Sequence, residues 1–230
     1  MELHSFFLFS LLFLVPIDAQ KYAADLSVPT TPDQLQCLQT AKYSTLFVRT
    51  FKPDGKNGTV DSDGIQTIQT IRKVWIQIET GVFMEPQGGS QNGGQQLDTM
   101  YQALNNAGIS FRRLWIQVTA SDHWNADPAL NVDLINSIIR RANQYGLLIG
   151  IFTSMADWQT VTDNVKTLAS SHVDLWYSNV YWQGTTGETT PDFDDFVAFG
   201  PFNKSSVLVK QYGQSELFCG LTLNNDVYFN

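Results

Sequence analysis

The sequence predicts a single α/β domain folded as an irregular (β/α) TIM-like barrel. Three observations carry that expectation. Strand-like and helix-like segments alternate along the chain, with no linker to divide them. About eight strands with interposed helices fall within roughly 210 residues, enough for one domain with a large core. No glycine-rich phosphate fingerprint follows the first strand, which counts against the runner-up, an open doubly wound sheet.

The elements follow in order. Tyr22–Leu26 reads as a short first strand. Thr31 then caps a helix that has Pro32 at its first position, where a missing N–H costs nothing. Thr45–Thr50 is the next strand. Asp61 or Ser62 opens a helix whose Ile65, Ile68 and Ile71 share one face. Val74–Met84 holds one or two strands around Gly81. Gln87–Gln96, rich in Gly, Gln and Asn, reads as a loop into a helix carrying Leu97, Met100, Tyr101 and Leu104, which Gly108 ends. Phe111–Thr119 is a buried strand, and Asn131–Tyr145 an amphipathic helix closed by Gly146. Leu147–Thr153 is a strand, Met155–Leu168 a helix and Val173–Tyr181 another strand. A Gly/Thr loop, Gly184–Thr190, leads through an acidic turn to strands near Val207–Tyr212 and Leu217–Leu223.

Met1–Ala19 has the layout of a secretory signal. Phe6–Val15 is apolar apart from one serine, and too short to span a bilayer; Pro16 and the small Ala19 follow it. The domain then covers 20–230. Without Glu2 and Asp18 it carries 20 acidic against 14 basic residues, a net charge of −6. An acidic chain without a Lys/Arg cluster excludes nucleic acid or an anionic membrane as the main partner. A secreted, water-soluble monomer is the expected form. Cys37 and Cys219, an even pair in a secreted chain, predict a disulfide. Closing a loop of about 180 residues stabilises by about 5 kcal/mol in the chain-entropy account. In a closed barrel the first helix and the last strand are neighbours, which brings the two cysteines together. Asn57-Gly58-Thr59 and Asn203-Lys204-Ser205 are glycosylation sequons beside turn residues. His123 and His172 show no metal-ligand spacing, and no cofactor is expected.

Five motifs in order resemble the animal branch of family 25 glycoside hydrolases, the lysozyme (muramidase) family. They are Tyr22-Ala23-Ala24-Asp25, Val82-Phe83-Met84-Glu85-Pro86, Gly150-Ile151-Phe152-Thr153-Ser154 with Trp158, Leu175-Trp176-Tyr177, and Lys210-Gln211-Tyr212. Leu114–Thr119 resembles the family's catalytic strand, which ends Asp-x-Glu. Here the two positions are Gln117 and Thr119. Alternate residues on a strand share a face, so both still point the same way. Neither can titrate, and a Gln cannot protonate a leaving group. The family's late Asp falls on Thr222. Of the carboxylates the resemblance implies, Asp25 remains.

Asp122 and Glu79 are the acids considered as replacements, while Asp157 reads as serving the first turn of its helix. Trp124, Trp176, Tyr177 and Tyr181 are the candidate aromatic faces for a sugar ring, with core packing as the alternative for each. Trp176, Tyr177 and Gln211 are the expected glycan contacts. The resemblance implies a secreted lysozyme-like protein that meets peptidoglycan in innate defence, with catalysis weak or lost. Two other readings stay open: an active glycosidase using Asp25 with a relocated acid, and a secreted interaction or regulatory protein without a sugar groove.

Overall fold

The first strand pairs with the second in parallel and with the last in antiparallel register, and that closes the sheet. In the computed structural model the described residues are 20–74, 76–89, 92–119 and 122–228, so the predicted signal Met1–Ala19 lies outside them. The strands are β1 (Lys21–Leu26), β2 (Tyr43–Lys52), β3 (Thr59–Val60), β4 (Glu79–Met84), β5 (Arg113–Gln117), β6 (Leu148–Thr153), β7 (Asp174–Ser178), β8 (Val207–Phe218) and β9 (Leu221–Tyr228). Around the barrel they run β1-β2-β4-β5-β6-β7-β8-β9 and back to β1, with β3 a short antiparallel addition to β2. β9 is antiparallel to both neighbours; the other seven barrel strands are parallel. The result is one α/β domain with an eight-stranded mixed barrel.

The helices among the described residues are α1 (Pro32–Thr40), α2 (Ser62–Lys73), α3 (Gly93–Asn106), α4 (Pro128–Gln144) and α5 (Met155–Thr162). Thr31 starts α1 as the sequence predicts, through a reciprocal capping box with Gln34. Three other helix boundaries differ from expectation, each for a local reason. α3 begins inside the expected loop because the Asn92 side chain accepts from the Gln95 amide. α4 begins earlier, at Asp127-Pro128, a cap followed by a first-turn proline. α5 stops at Thr162 because Asp163 and Asn164 both adopt positive φ, which short polar side chains tolerate. Glu79 is the first residue of β4 and therefore sits at the opposite end of the barrel from the strand carboxyl ends.

Strand alternation sorts the core into two sets. The larger lies between strands and helices. The smaller fills the barrel: Ala23, Phe47, Phe83, Trp115, Phe152, Trp176 and Val209, one from each of seven strands. Gly150 makes room for this plug, since a Cβ there would lie 2.1 Å from the Trp115 ring. Substituting it would therefore force the plug apart.

β8 and β9 form a longer hairpin than the sequence predicts. Leu217 belongs to β8, and Cys219 occupies the turn with Gly220 rather than the start of the last strand. Gly213-Gln214-Ser215, polar and glycine-bearing, looks like a loop but is absorbed as bulges, with Ser215 at φ 55°. The predicted disulfide is present: Cys37 of α1 and Cys219 have Cα atoms 5.8 Å apart. Gln34 Nε2 also donates to the Gly220 carbonyl at 3.0 Å, so α1 holds the hairpin turn twice.

Candidate functional site

Above the aromatic plug, the next inward-facing positions form the barrel mouth, at the carboxyl ends of the parallel strands where such barrels keep their sites. A cleft of about 1020 Å³ opens there. Its floor is built by β1, β8 and β9. The Asp25 carboxylate, 3 % exposed, accepts from Gln211 Nε2 and from Asn224 Nδ2, each at 2.8 Å. Gln211 Oε1 in turn accepts from Ser178 Oγ at 2.8 Å. Burial raises the Asp25 carboxyl to about 6, although the two amide bonds pull the other way.

A second carboxyl lies one inward step deeper. Asp226 pairs with Ala23 across β1–β9 and is fully buried, and its Oδ1 accepts from Trp176 Nε1 at 2.8 Å. Its Oδ2 has no hydrogen-bond partner among the described groups that would hold a charge. Burial first, and then the nearby Asp25 charge, push Asp226 well above the usual carboxylate range. It is the member of the pair that keeps its proton.

The opposite side of the mouth is neutral. Gln117 Nε2 donates to Thr119 Oγ1 at 3.1 Å, so the two β5 residues satisfy each other. Thr222 lines the cleft, exposed, on β9. Arg49 enters from β2 but is already held by Asp61 (2.8 Å) and Glu85 (3.1 Å). At the rim, Asp195 accepts from Tyr177 Oη (2.6 Å), Asn179 Nδ2 (2.7 Å) and the buried Lys210 Nζ (2.5 Å). Burial opposes its charge, but those donors outweigh it and hold the carboxyl below its ordinary value. Asp157 caps the start of α5 with Ser154 (2.7 Å), as its predicted helix role requires. The carboxylates that face the cleft are therefore already engaged.

A family model described as "Lysozyme-like protein 1" matches residues 17–212. The chain belongs to the lysozyme-like protein family. It is 48% identical over 208 residues to Lysozyme-like protein 1 of Caenorhabditis elegans, covering 90% of this chain and 68% of that one. It is 26% identical over 204 residues to Probable GH family 25 lysozyme 2 of Dictyostelium discoideum, covering 89% of each. The barrel is similar to that of a family 25 glycosyl hydrolase from Bacillus anthracis, with a TM-score of 0.64 at 11% identity over 91% of this chain and 89% of that one. At that identity the likeness is one of fold.

Within this lysozyme-like barrel the sequence-predicted residues divide. Asp25, Gln117, Thr119, Thr222, Tyr177 and Gln211 all line the one cleft. Trp176 does not. It is 0 % exposed, with its ring stacked on Phe152 at 4.0 Å and tilted against Phe47 at 4.5 Å. The expected sugar-stacking face is thus interior packing, because residue 176 shares the inward set with the plug. Tyr177 keeps only a rim role, its hydroxyl committed to Asp195. Asp122 is exposed and Glu79 lies at the far end, so neither joins the cleft residues. Trp124 donates its Nε1 to the Thr119 carbonyl at 2.9 Å and supports β5 from outside. Asn224 and Asp226 were not anticipated, although Thr222, Asn224 and Asp226 alternate as polar residues along one strand face. Extending the last strand past Leu223 would have found both.

Proposed function

We propose that this chain is a secreted, glycan-binding member of the lysozyme-like family. It acts on bacterial peptidoglycan or a related saccharide in defence, with muramidase chemistry weak or lost. The observation that carries this reading is the Gln117–Thr119 hydrogen bond, which stands where family 25 chemistry would need two carboxyl groups. The polar part of the lining is mostly amides and hydroxyls, including Ser27, Asn179, Gln211 and Asn224, and these match the donors and acceptors of a neutral sugar. Secretion is supported by the Met1–Ala19 pattern and by the Cys37–Cys219 disulfide. Asn57 and Asn203 are both exposed, consistent with use as glycosylation sites. Among the described residues no helix is long and apolar enough to cross a membrane.

One observation favours a second reading, a residual hydrolase. An Asp25 carboxyl raised to about 6 could serve as an acid in mildly acidic surroundings. Its nearest carboxyl partner, Asp226, is sealed beneath it and cannot take part at the cleft surface. Binding without lysis remains the better fit.

The test is calorimetric titration of the purified secreted protein with peptidoglycan and chitin fragments, beside a cell-wall turbidity assay. Binding in the range of about millimolar to micromolar, worth about −4 to −8 kcal/mol and little affected by salt, is expected together with background lysis. Robust lysis by the native sequence would restore the enzyme. Indifference to both glycans would move the interaction-protein reading to first place.

A further inference from the structure

With Trp176 buried, a sugar leaving the mouth would need another aromatic face, and the segment after β7 presents two. Tyr181 is 70 % exposed and Trp182 58 %, the two described Tyr, Trp or Phe side chains with more than half their surface in solvent. They stand side by side, with ring centroids 5.8 Å apart and planes at 40°. Exposed aromatics on a loop are common; these two sit on a braced one. The Tyr181 amide donates to the Gly187 carbonyl at 2.9 Å, and the Gly184 amide to the Gln214 carbonyl of β8 at 2.7 Å. Trp182 Nε1 donates to Thr186 Oγ1 at 3.0 Å. Residue 187 must be glycine for this closure, since a Cβ there would lie 1.9 Å from the Trp182 carbonyl oxygen. Little ordering cost therefore remains for a ligand to meet.

The position and the charge narrow the occupant. Asn179 and Val180, just before the pair, line the cleft, and so does Gln214, to which the loop is tied. The aromatic pair is thus an outward continuation of the mouth. Glu188, Asp192 and Asp194 follow the pair along the chain toward β8; burial first, and then these acids, raise the Tyr212 and Tyr177 hydroxyls. Of the cations around the mouth, Lys210 is held by Asp195, Arg49 by Asp61 and Glu85, and Lys204 by the Phe193 carbonyl. An acidic rim repels an anionic membrane surface or polyanion but is indifferent to an uncharged ring. Aromatic faces packed on the apolar face of a ring need no countercharge.

We propose that Tyr181 and Trp182 form a second saccharide-binding platform, which holds the part of a neutral glycan chain that extends beyond the barrel mouth. The proposal rests on the reading that the mouth binds glycan.

The experiment uses the full secreted protein and two probes, the disaccharide and the hexasaccharide of N-acetylglucosamine. The Tyr181→Ala/Trp182→Ala variant should lose about tenfold or more in hexasaccharide affinity and keep the disaccharide affinity within about twofold. Tyr181→Phe/Trp182→Phe should restore the hexasaccharide. An unchanged hexasaccharide affinity overturns the platform and leaves the mouth reading standing. Equal losses for both probes likewise overturn it. Failure of the native protein to bind either probe overturns the platform, and the mouth reading falls with it only if peptidoglycan fragments fail as well. A phosphatidylcholine vesicle arm closes the alternative: binding that the native protein shows and the Ala variant lacks would assign the pair to a lipid surface and overturn the proposal.

Discussion

On the β5 side of the mouth the polar groups are neutral and bonded to each other, Gln117 to Thr119 at 3.1 Å. On the β1–β9 side lie two carboxyls, Asp25 and Asp226, but out of solvent. The difference is one of local support. Asp25 has two amide donors and Asp226 has an indole donor, so removing either acid would strand buried partners. The β5 pair stands only partly buried at the cleft, where a neutral exchange strands nothing.

The strongest way to break this comparison is to put the missing acids back. Gln117→Asp, Thr119→Glu and Thr222→Asp together should raise cell-wall lysis above the native background. A general acid is worth roughly 10²–10⁴ in rate, and a site that acts as a unit is not rebuilt one residue at a time. Turbidity clearance by the purified triple variant is the measurement. A folded triple variant with no lysis would show that the mouth has lost more than its charges.

The second test addresses the deep side. Trp176 is ringed by Phe47, Phe83, Trp115 and Phe152 and donates to Asp226. Trp176→Ala should therefore cost about 3–5 kcal/mol in denaturant unfolding. A change under about 1 kcal/mol would mean that the ring does not fill the barrel and would return it to the groove.

How far the sequence foretold these two sides depended on what each kind of signal encodes. Alternation and capping are local, so the barrel, the Thr31 cap and most strands were legible in it. The disulfide was legible as well, because closure of the barrel makes its ends neighbours. Which face of β7 points inward is not local. Leu175, Trp176 and Tyr177 are all apolar enough for either side, and closure alone decides that Trp176 fills the barrel. The Asp25–Asp226 pair was hidden for a similar reason: residues at opposite ends of the chain meet only through β1–β9 register. Asp195 could not be chosen from among its acidic neighbours without knowing that Lys210 lies under it.

The smallest expected effect, and the most direct reading of the carboxyl pair, is the dependence of stability on pH. Burial raises Asp25 from 3.8 to about 6 and Glu216 from 4.5 to about 7, the latter helped by Glu188, and puts Asp226 well above 3.8. Each of these groups holds its proton more tightly folded than unfolded. Their contribution is thus full in acid below the unfolded values; that of Asp25 and Glu216 is lost as pH rises through about 6 to 7, and that of Asp226 is lost as pH rises through its own raised value. Asp98 and Asp195 are lowered and act oppositely, but their contribution is lost only in stronger acid, at and below about 3.8; His123, which burial lowers from 6.5, opposes the trend inside the window, one group against three. The melting temperature should therefore be higher near pH 5 than near pH 8, the reverse of a chain whose carboxylates are all salt-bridged. Asp226→Asn keeps an oxygen for Trp176 and removes the acid. It should raise the melting temperature near pH 8, flatten the slope between pH 5 and pH 8, and change little near pH 4. A native melting temperature that climbs steadily from pH 5 to pH 8, or an Asp226→Asn variant with the native slope, would mean that burial does not hold the Asp226 proton more tightly in the folded state.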